Sequence, residues 1–458
     1  MSYYAYVCKI DNLRKHPNAD RLQLGECFGN TVCVDMSYAA GEVGIYFPTD
    51  GQLSVEFAEY NNLLRKKDDA GNSIGGYMDP NKRNVTSIRL RGEKSDGLFL
   101  HLDCISYTKA EVKEGDSFTM LNGHEICQKY IPRSHKQPYE NKVKGNRTRK
   151  KKVPIAPLFV EHADTEQLAY NLGAFHPGDY VEITLKMHGT SQRTGRVPMF
   201  VKYKRSFIDW LLRRPGTPVY DWGYVSGTRR TVLENFDGGY YGSNAFREQH
   251  AKFFEGKLHK GEEVYYEVVG FTDTGASIMG VVSNKKLNDK AFVKQYGEMT
   301  TFSYGCSPTG YMTYEDGSHD ALPQSDFYVY RMTMTNEDGD IVEYTPDYMR
   351  YRCAQMGCKC VPLLWSGIIP AHTGDEAAIS LGQDAGAWIK AKAEEFYDGP
   401  DPIGKTHVRE GVVCRIVNRP AFTAYKHKNF AFKCLEGICK AEETEPDMEE
   451  AEEVKDEA

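Results

Sequence analysis

The segment Val181-Glu-Ile-Thr-Leu-Lys-Met-His-Gly-Thr-Ser191 carries most of what can be read about the fold and its chemistry. Val181, Ile183 and Leu185 alternate with Glu182, Thr184 and Lys186. A strand buries the first set and turns the second to its opposite face. Lys186 then stands at the strand's end, close to Gly189, where a missing side chain permits a tight turn. An amine held there becomes a nucleophile if its pKa falls from about 10.4, and burial and neighbouring cations both push it down. The same residues would also suit a surface lysine before a turn. The segments that follow separate the two.

Ser226-Gly-Thr-Arg229-Arg230 offers an arginine pair after a short polar turn. Val264-Tyr-Tyr-Glu267-Val-Val-Gly270 sets a carboxylate inside an apolar strand, which is costly unless it is paired, ligated or facing a pocket. Phe327-Tyr-Val-Tyr330-Arg331 supplies aromatic faces. Glu410-Gly411-Val412-Val413 places a second carboxylate just ahead of a strand. Tyr425-Lys426-His427-Lys428 puts two lysines on one strand face.

This ordered set, spread over residues 181–434, resembles the covalent nucleotidyltransferase superfamily of ATP-dependent ligases and capping enzymes, and its RNA ligases most of all. The N-terminal region adds to the likeness. His16-Pro-Asn-Ala-Asp-Arg-Leu22 resembles the opening of tRNA-binding-type OB folds. Thr86-Ser-Ile-Arg-Leu-Arg-Gly92 and Ser95-Asp-Gly-Leu98 resemble the N-terminal OB-like module of bacterial and phage RNA ligases that seal nicks with an RNA 3′-hydroxyl end. A generic β-barrel with no nucleic-acid role is the other reading of that module. The resemblance implies an α+β protein. An N-terminal OB-like β-barrel would be followed by a nucleotidyltransferase (ATP-grasp-like ligase) domain of antiparallel sheets flanked by helices.

It also implies roles. Lys186 would attack the α-phosphorus of ATP. His188, Gly189 and Ser191 match the nucleophile motif, and Ser191 stands where relatives often carry asparagine. Arg229, with Arg230 as the adjacent alternative, would sit near sugar and phosphates. Glu267 and Glu410 would hold Mg²⁺ or Mn²⁺, since carboxylates suit hard divalent cations; Glu267 is also a candidate for the ribose. Tyr330 would stack on adenine, with Tyr328 second. Arg331 departs from the acidic residue common in relatives. Lys426 and Lys428 match the family's Lys-x-Lys and would bind the α-phosphate, with Lys433 a lesser candidate. The partner would be RNA, or a nicked duplex containing RNA.

Boundaries follow from composition: an OB-like module over 1–125, a linker over 126–155, an adenylyltransferase domain over 156–440 and a tail over 441–458. The linker carries seven bases between Lys142 and Lys152 and reads equally as a solvated connector or a phosphate-binding strip. Lys202-Tyr-Lys-Arg205 and Trp210-Leu-Leu-Arg-Arg214 interleave bases with aromatics, as RNA contacts or as an amphipathic packed element. The tail holds ten acids and one base, and its composition predicts a disordered, solvated segment that could compete with nucleic acid. Without it the chain's net charge of −7 becomes +2, so the overall value is misleading and reflects uneven placement. With 40% hydrophobic and 26% charged residues the chain is globular, and it has neither a signal-peptide pattern nor a membrane-length apolar run. A cytoplasmic protein with reduced thiols is expected. Cys353, Cys358 and Cys360 form Cys-x4-Cys-x-Cys, which is no standard zinc spacing.

Two other classes remain. DNA ligases and capping enzymes share the lysine chemistry, but they normally carry an OB domain after the last motif, and only 30 residues follow Lys428. A non-catalytic RNA-binding protein would need only the OB-like module and the basic linker.

Overall fold

The computed structural model describes residues 3–49, 51–67, 73–130, 155–162, 165–207, 211, 216–229, 231–233, 235–236, 244–314, 316–370 and 384–436. Arg230, the Lys142–Lys152 strip, most of the Trp210–Arg214 patch and the acidic tail lie outside them. The chain forms two compact units. One comprises the described residues up to 130 with 284–295 and 430–436, and the other comprises 155–283 and 296–429. Among the described residues no helix is long and apolar enough to cross a membrane.

The first unit is built from small antiparallel sheets. One runs in the order Leu98–His101, Val43–Phe47, Ala5–Lys9, Ser117–Phe118. Asp11–Lys15, Leu22–Cys27 and Asn30–Asp35 form a second, and Cys127–Lys129, Gly51–Leu53 and Asn84–Val85 a third. Ala5, Val7, Ile45, Phe47, Leu53 and Phe57 fill a core shared by the first and third sheets. Among the described residues no sheet closes on itself, so the expected barrel is not found as a closed barrel. Strands such as Gly51–Leu53 and Asn84–Val85 are too short to carry a continuous ladder round a circuit. The motif residues here serve structure. Buried His16 bonds Leu90 O through Nε2 at 3.0 Å, and Asn18 Nδ2 donates to Arg91 O at 2.8 Å. Residues 284–295 and 430–436 form a small helical corner in which Leu287 and Phe430 pack on Cys434.

The second unit holds two sheets. The five-stranded sheet runs Glu166–Gln167, Thr423–Lys428, Gly411–Ile416, Tyr180–Leu185, Leu363–Ile368, antiparallel except for the first pair. Val181, Ile183, Val412 and Cys414 pack against the helix Asp384–Glu394, whose buried Ala385, Ile389 and Ala393 recur at the helical four-residue spacing. The seven-stranded sheet has Thr190–Lys204, Glu262–Gly270 and Ser325–Thr335 at its centre, all antiparallel. It packs on the helices Ala245–Phe253 and Pro346–Met356 through Phe246, Phe254, Tyr266, Phe327 and Met349. The second helix begins on a Thr345 cap with Pro346 in its first turn and ends at Gly357 in the left-handed region. The sheets are joined by the short turn Lys186–Gly189. Alternation in the sequence predicts strands at 181–186, 264–269, 327–332 and 411–416, and all four fall on observed strands.

Glu182 differs from the alternation the sequence predicts. It is buried because Arg350 reaches it with two bonds, at 2.7 and 2.9 Å. Glu262 is a second such case, wholly buried and gripped by Arg352 at 2.7 and 2.8 Å. Burial opposes ionisation of Glu262, but the Arg352 guanidinium and the His259 N–H outweigh it and hold its pKa below the ordinary carboxylate value. Arg352→Ala should therefore cost about 3–5 kcal/mol of stability near neutral pH, because it strands a buried charge. The loss should shrink as pH falls and Glu262 takes up a proton, which denaturant unfolding of both chains at pH 7 and pH 4 will measure.

Candidate active site

Register brings the lysines and a carboxylate together. Leu185 pairs with Val412, and Gly411 with Lys428. Lys186 N donates to Gly411 O at 3.0 Å, and Asn429 N to Glu410 O at 2.9 Å. Glu410 is thus pinned between the ends of two neighbouring strands. Gly411 is at φ +145°, and a Cβ there would stand 2.1 Å from His427 O, so only glycine fits beside Glu410.

Lys186 Nζ lies 2.5 Å from Glu410 Oε1, and Lys428 Nζ lies 3.2 Å from the same oxygen. His188 Nδ1 is 3.6 Å from Oε2, beyond good hydrogen-bond distance. Glu410 Oε2 has no hydrogen-bond partner among the described residues, although the side chain is only 2% exposed. Burial raises the Glu410 pKa, but Lys186, Lys428 and His188 together override it and hold the group well below the ordinary range. Lys426 is buried on the same strand face as Lys428, opposite Val413.

The seven-stranded sheet supplies the rest. Ser191 pairs with Glu267, and Glu267 in turn with Tyr328, so the three form one cross-strand row. Gly189 approaches the Glu267 strand so closely that a Cβ would meet Val268 O at 2.4 Å and Glu267 Cγ at 2.9 Å. Between Tyr265 and Tyr266 the register shifts, and Tyr330 is the extra residue on the facing strand. That bulge re-aims Tyr330, whose hydroxyl meets Ser191 Oγ at 2.9 Å. Glu267 is pushed up to about 7 by burial first. Lys186, Arg229 and Arg247 pull it down, and Glu410 adds to the rise. Two carboxylates near one lysine are thus driven to opposite ends of their range.

Sequence reading missed two supports. Arg247, on the helix Ala245–Phe253, donates to Thr190 Oγ1 at 2.5 Å and Ser191 O at 3.2 Å, tying down the strand after the turn. Its signal lay in the buried stripe Phe246, Arg247, His250, Ala251, an arginine inside an otherwise packed helix face. Tyr304, buried in a loop, accepts the His188 N–H at 2.8 Å and so fixes the turn itself, with Phe302 edge-on to the His188 ring. No local pattern marks that loop. Arg331, which departs from the family pattern, is buried in a fork with Glu343 at 2.9–3.1 Å and lies over Tyr265 and Phe422.

No protein-family model matches the sequence, and a comparison with curated proteins finds no match. Solved structures do match. A mutant of the Naegleria gruberi RNA ligase with ATP and Mn aligns at a TM-score of 0.55 and 17% identity, over 95% of this chain and 98% of that one. The same organism's RNA ligase with PPi gives 0.55 and 17%, over 94% and 97%. A further mutant with AMP and Mn gives 0.53 and 16%, over 94% and 98%.

The chain has the fold of an RNA ligase.

Within that fold the donor set suits a hard divalent cation. Glu267 and Glu410 lie near enough for one carboxylate to feel the other's charge, and Glu410 keeps a buried oxygen without a hydrogen bond among the described residues. The raised Glu267 has a stability consequence of its own. Its folded pKa exceeds the ordinary value, so the folded state binds the extra proton and loses stability as pH rises from about 4.5 to 7. Glu267→Gln removes that loss. In chelator, the variant should gain on the native chain by up to about 3 kcal/mol between pH 4.5 and pH 8, read from denaturant midpoints.

Proposed function

We propose that this protein is an ATP-dependent RNA ligase acting through a covalent lysyl-AMP intermediate. The observation that carries the reading is the single buried carboxylate of Glu410 holding both Lys186 and Lys428 by one oxygen, at the end of a strand in an RNA-ligase fold. A lysine so fixed, with cations around it and a second carboxylate beyond, suits attack on a phosphorus whose leaving group is already charged.

In the first step Lys186 Nζ, having lost a proton, forms a bond to the α-phosphorus of ATP, and the bond to the bridging oxygen breaks to release pyrophosphate. Lys428 and Lys426 hold the α-phosphate oxygens. Tyr330 stacks on adenine, with Ser191 setting its hydroxyl, and Arg229 lies near sugar and phosphates. His188 and Gly189 shape the turn that presents the lysine. In the second step an oxygen of the RNA 5′-phosphate attacks the same phosphorus, the P–N bond breaks and the lysine regains a proton. In the third the 3′-hydroxyl attacks the 5′-phosphorus, loses its proton and expels AMP. Mg²⁺ or Mn²⁺ on Glu267 and Glu410 would neutralise phosphate charge. On this reading residues 1–125 are the OB-like module that binds nucleic acid, 126–155 the linker and 156–440 the adenylyltransferase domain. The substrates are nicked duplexes with an RNA 3′ end, and the setting is RNA repair in the cytoplasm.

Intact mass after incubation with ATP and Mg²⁺ tests the chemistry. The native chain, first stripped with pyrophosphate, should gain one AMP, and Lys186→Ala none. No adduct with Mg²⁺ or Mn²⁺, from ATP or GTP, would remove the ligase reading and leave an RNA-binding protein. Nicked duplexes with RNA or DNA 3′ ends then decide the substrate, and sealing should favour RNA at the 3′ side.

A further inference from the structure

The strand Thr190–Lys204 runs far past the strand on one side of it. Glu262–Gly270 pairs only with its first six residues, Thr190 to Gly195. On the other side it pairs along its length with Thr217–Gly227, which meets Val232–Leu233 only at Ser226 and Gly227. From Arg196 outward the two long strands form a ribbon with no third strand on either edge among the described residues. Its base is tied down: Gly261 N donates to Arg196 O at 2.8 Å, and Phe200 N to Ile155 O at 2.7 Å. Beyond Phe200 the strand is exposed, Val201 to 56% and Tyr203 to 43%. The run Lys202-Tyr-Lys-Arg205 is therefore not a packed element.

A two-stranded ribbon is marginal in water by itself, and here one face stiffens it. Phe200 lies edge-on to Tyr203 at 5.0 Å and to Tyr220 at 6.2 Å, and Trp222 follows on the same side. The other face carries charge, and a bulge puts it there. The register shifts between Phe200 and Lys202, with Val201 the extra residue. Lys202 then pairs with Val219 and Lys204 with Thr217, which alternate down their strand to Gly227, the partner of Arg193. Lys202 and Lys204 thus belong to the sheet face that carries Ser191 and Glu267. Without the extra residue both would turn to the aromatic side. Arg205 follows, also exposed. Among the described residues these three side chains make no ion pair and no hydrogen bond, whereas exposed Lys9 pairs with Glu114 at 2.8 Å and Lys359 with Asp326 at 2.6 Å. Between Arg196 and Tyr220 the sequence has six bases and one acid, Asp209.

We propose that this ribbon is a nucleic-acid arm, on which Lys202, Lys204 and Arg205 hold backbone phosphates of the RNA-containing duplex that flanks the nick. The proposal rests on the ligase reading for the identity of that duplex. Unpaired cations on a stiff support suit a polyanion, because neutralising its phosphates releases condensed counterions. A-form RNA offers such side chains its phosphates and 2′-hydroxyls rather than its base edges, so the contact is independent of sequence. At about 3.3 Å per residue, Lys202 stands roughly 35 Å along the strand from Ser191. The arm therefore meets the duplex roughly ten base pairs from the reacting ends, and it acts on affinity rather than on the chemical steps.

The test reads binding by fluorescence anisotropy, without ATP, on the full-length protein. The probes are two labelled nicked duplexes with RNA on the 3′-hydroxyl side, one with about 6 and one with about 20 base pairs on each side of the nick, titrated over a range of salt. The triple variant Lys202→Ala, Lys204→Ala, Arg205→Ala should bind the long duplex about tenfold or more weakly near 0.1 M salt. Its log–log salt slope should fall by about 2–3, from three contacts at roughly 0.7–0.9 each. The short duplex should bind native and variant chains alike. Lys204→Glu, a single exposed change, should weaken the long duplex in the same direction and remains informative if the triple variant unfolds. Equal losses on both duplexes or an unchanged salt slope would overturn the proposal. So would unchanged duplex affinity with a shift in sedimentation, which would assign the ribbon to a second copy of this chain. A native chain that takes up no AMP removes the ligase reading separately, since the binding measurement needs no adenylylation.

Discussion

The site at the end of the five-stranded sheet depends on one buried negative charge. Glu410 loses almost all of its water, and that loss alone would keep it neutral. Two ammonium groups on the same oxygen reverse the balance, and the group stays ionised. Neither lysine can be placed without three strands in correct register. Tyr180–Leu185 delivers Lys186, Gly411–Ile416 begins just after Glu410, and Thr423–Lys428 ends on Lys428. The hydrophobic layer of Val181, Ile183, Val412 and Cys414 fixes that register, since a one-residue slip would turn the apolar set away from the helix behind it. Core packing and site geometry are here the same constraint.

The second sheet contributes through contacts that leave almost no slack. Gly189 has no room for a methyl group, Arg247 ties Thr190 and Ser191 to the helix behind, and Tyr304 holds the turn from its other side. The bulge leaves Tyr330 as one extra residue opposite Tyr265 and Tyr266, at the cost of one unpaired backbone step.

Much of this was legible in the sequence. Alternation located the central strands, and the strand over 411–416 has the expected bounds. The residues singled out at 186, 410 and 428 converge within ion-pair distance. What was hidden depends on long-range partners. Glu182 reads as solvent-facing until Arg350, 168 positions away, is known to reach it. Arg331 looks out of place in its motif until Glu343 is seen beside it. The bulge at Tyr330 comes from a mismatch between two strands, which neither strand shows alone. In the first unit, whether short strands close a ring depends on pairings that alternation does not encode.

The separation between the lysine and its carboxylate also governs when the site can exist. Lys186 and Glu410 are 224 positions apart, and the strands that flank Tyr180–Leu185 come from 363–368 and 411–416. At ordinary ribosomal speeds of about 5–20 residues per second, roughly 10–50 s pass between making one and making the other. Until residues 363–368 are made the growing chain carries a central strand with both edges bare, and until 411–416 are made one edge stays bare, a ready template for pairing with other nascent chains. A polypeptide interrupted before residue 410 has the lysine but no ion pair, and one interrupted before residue 428 has the pair without its second lysine.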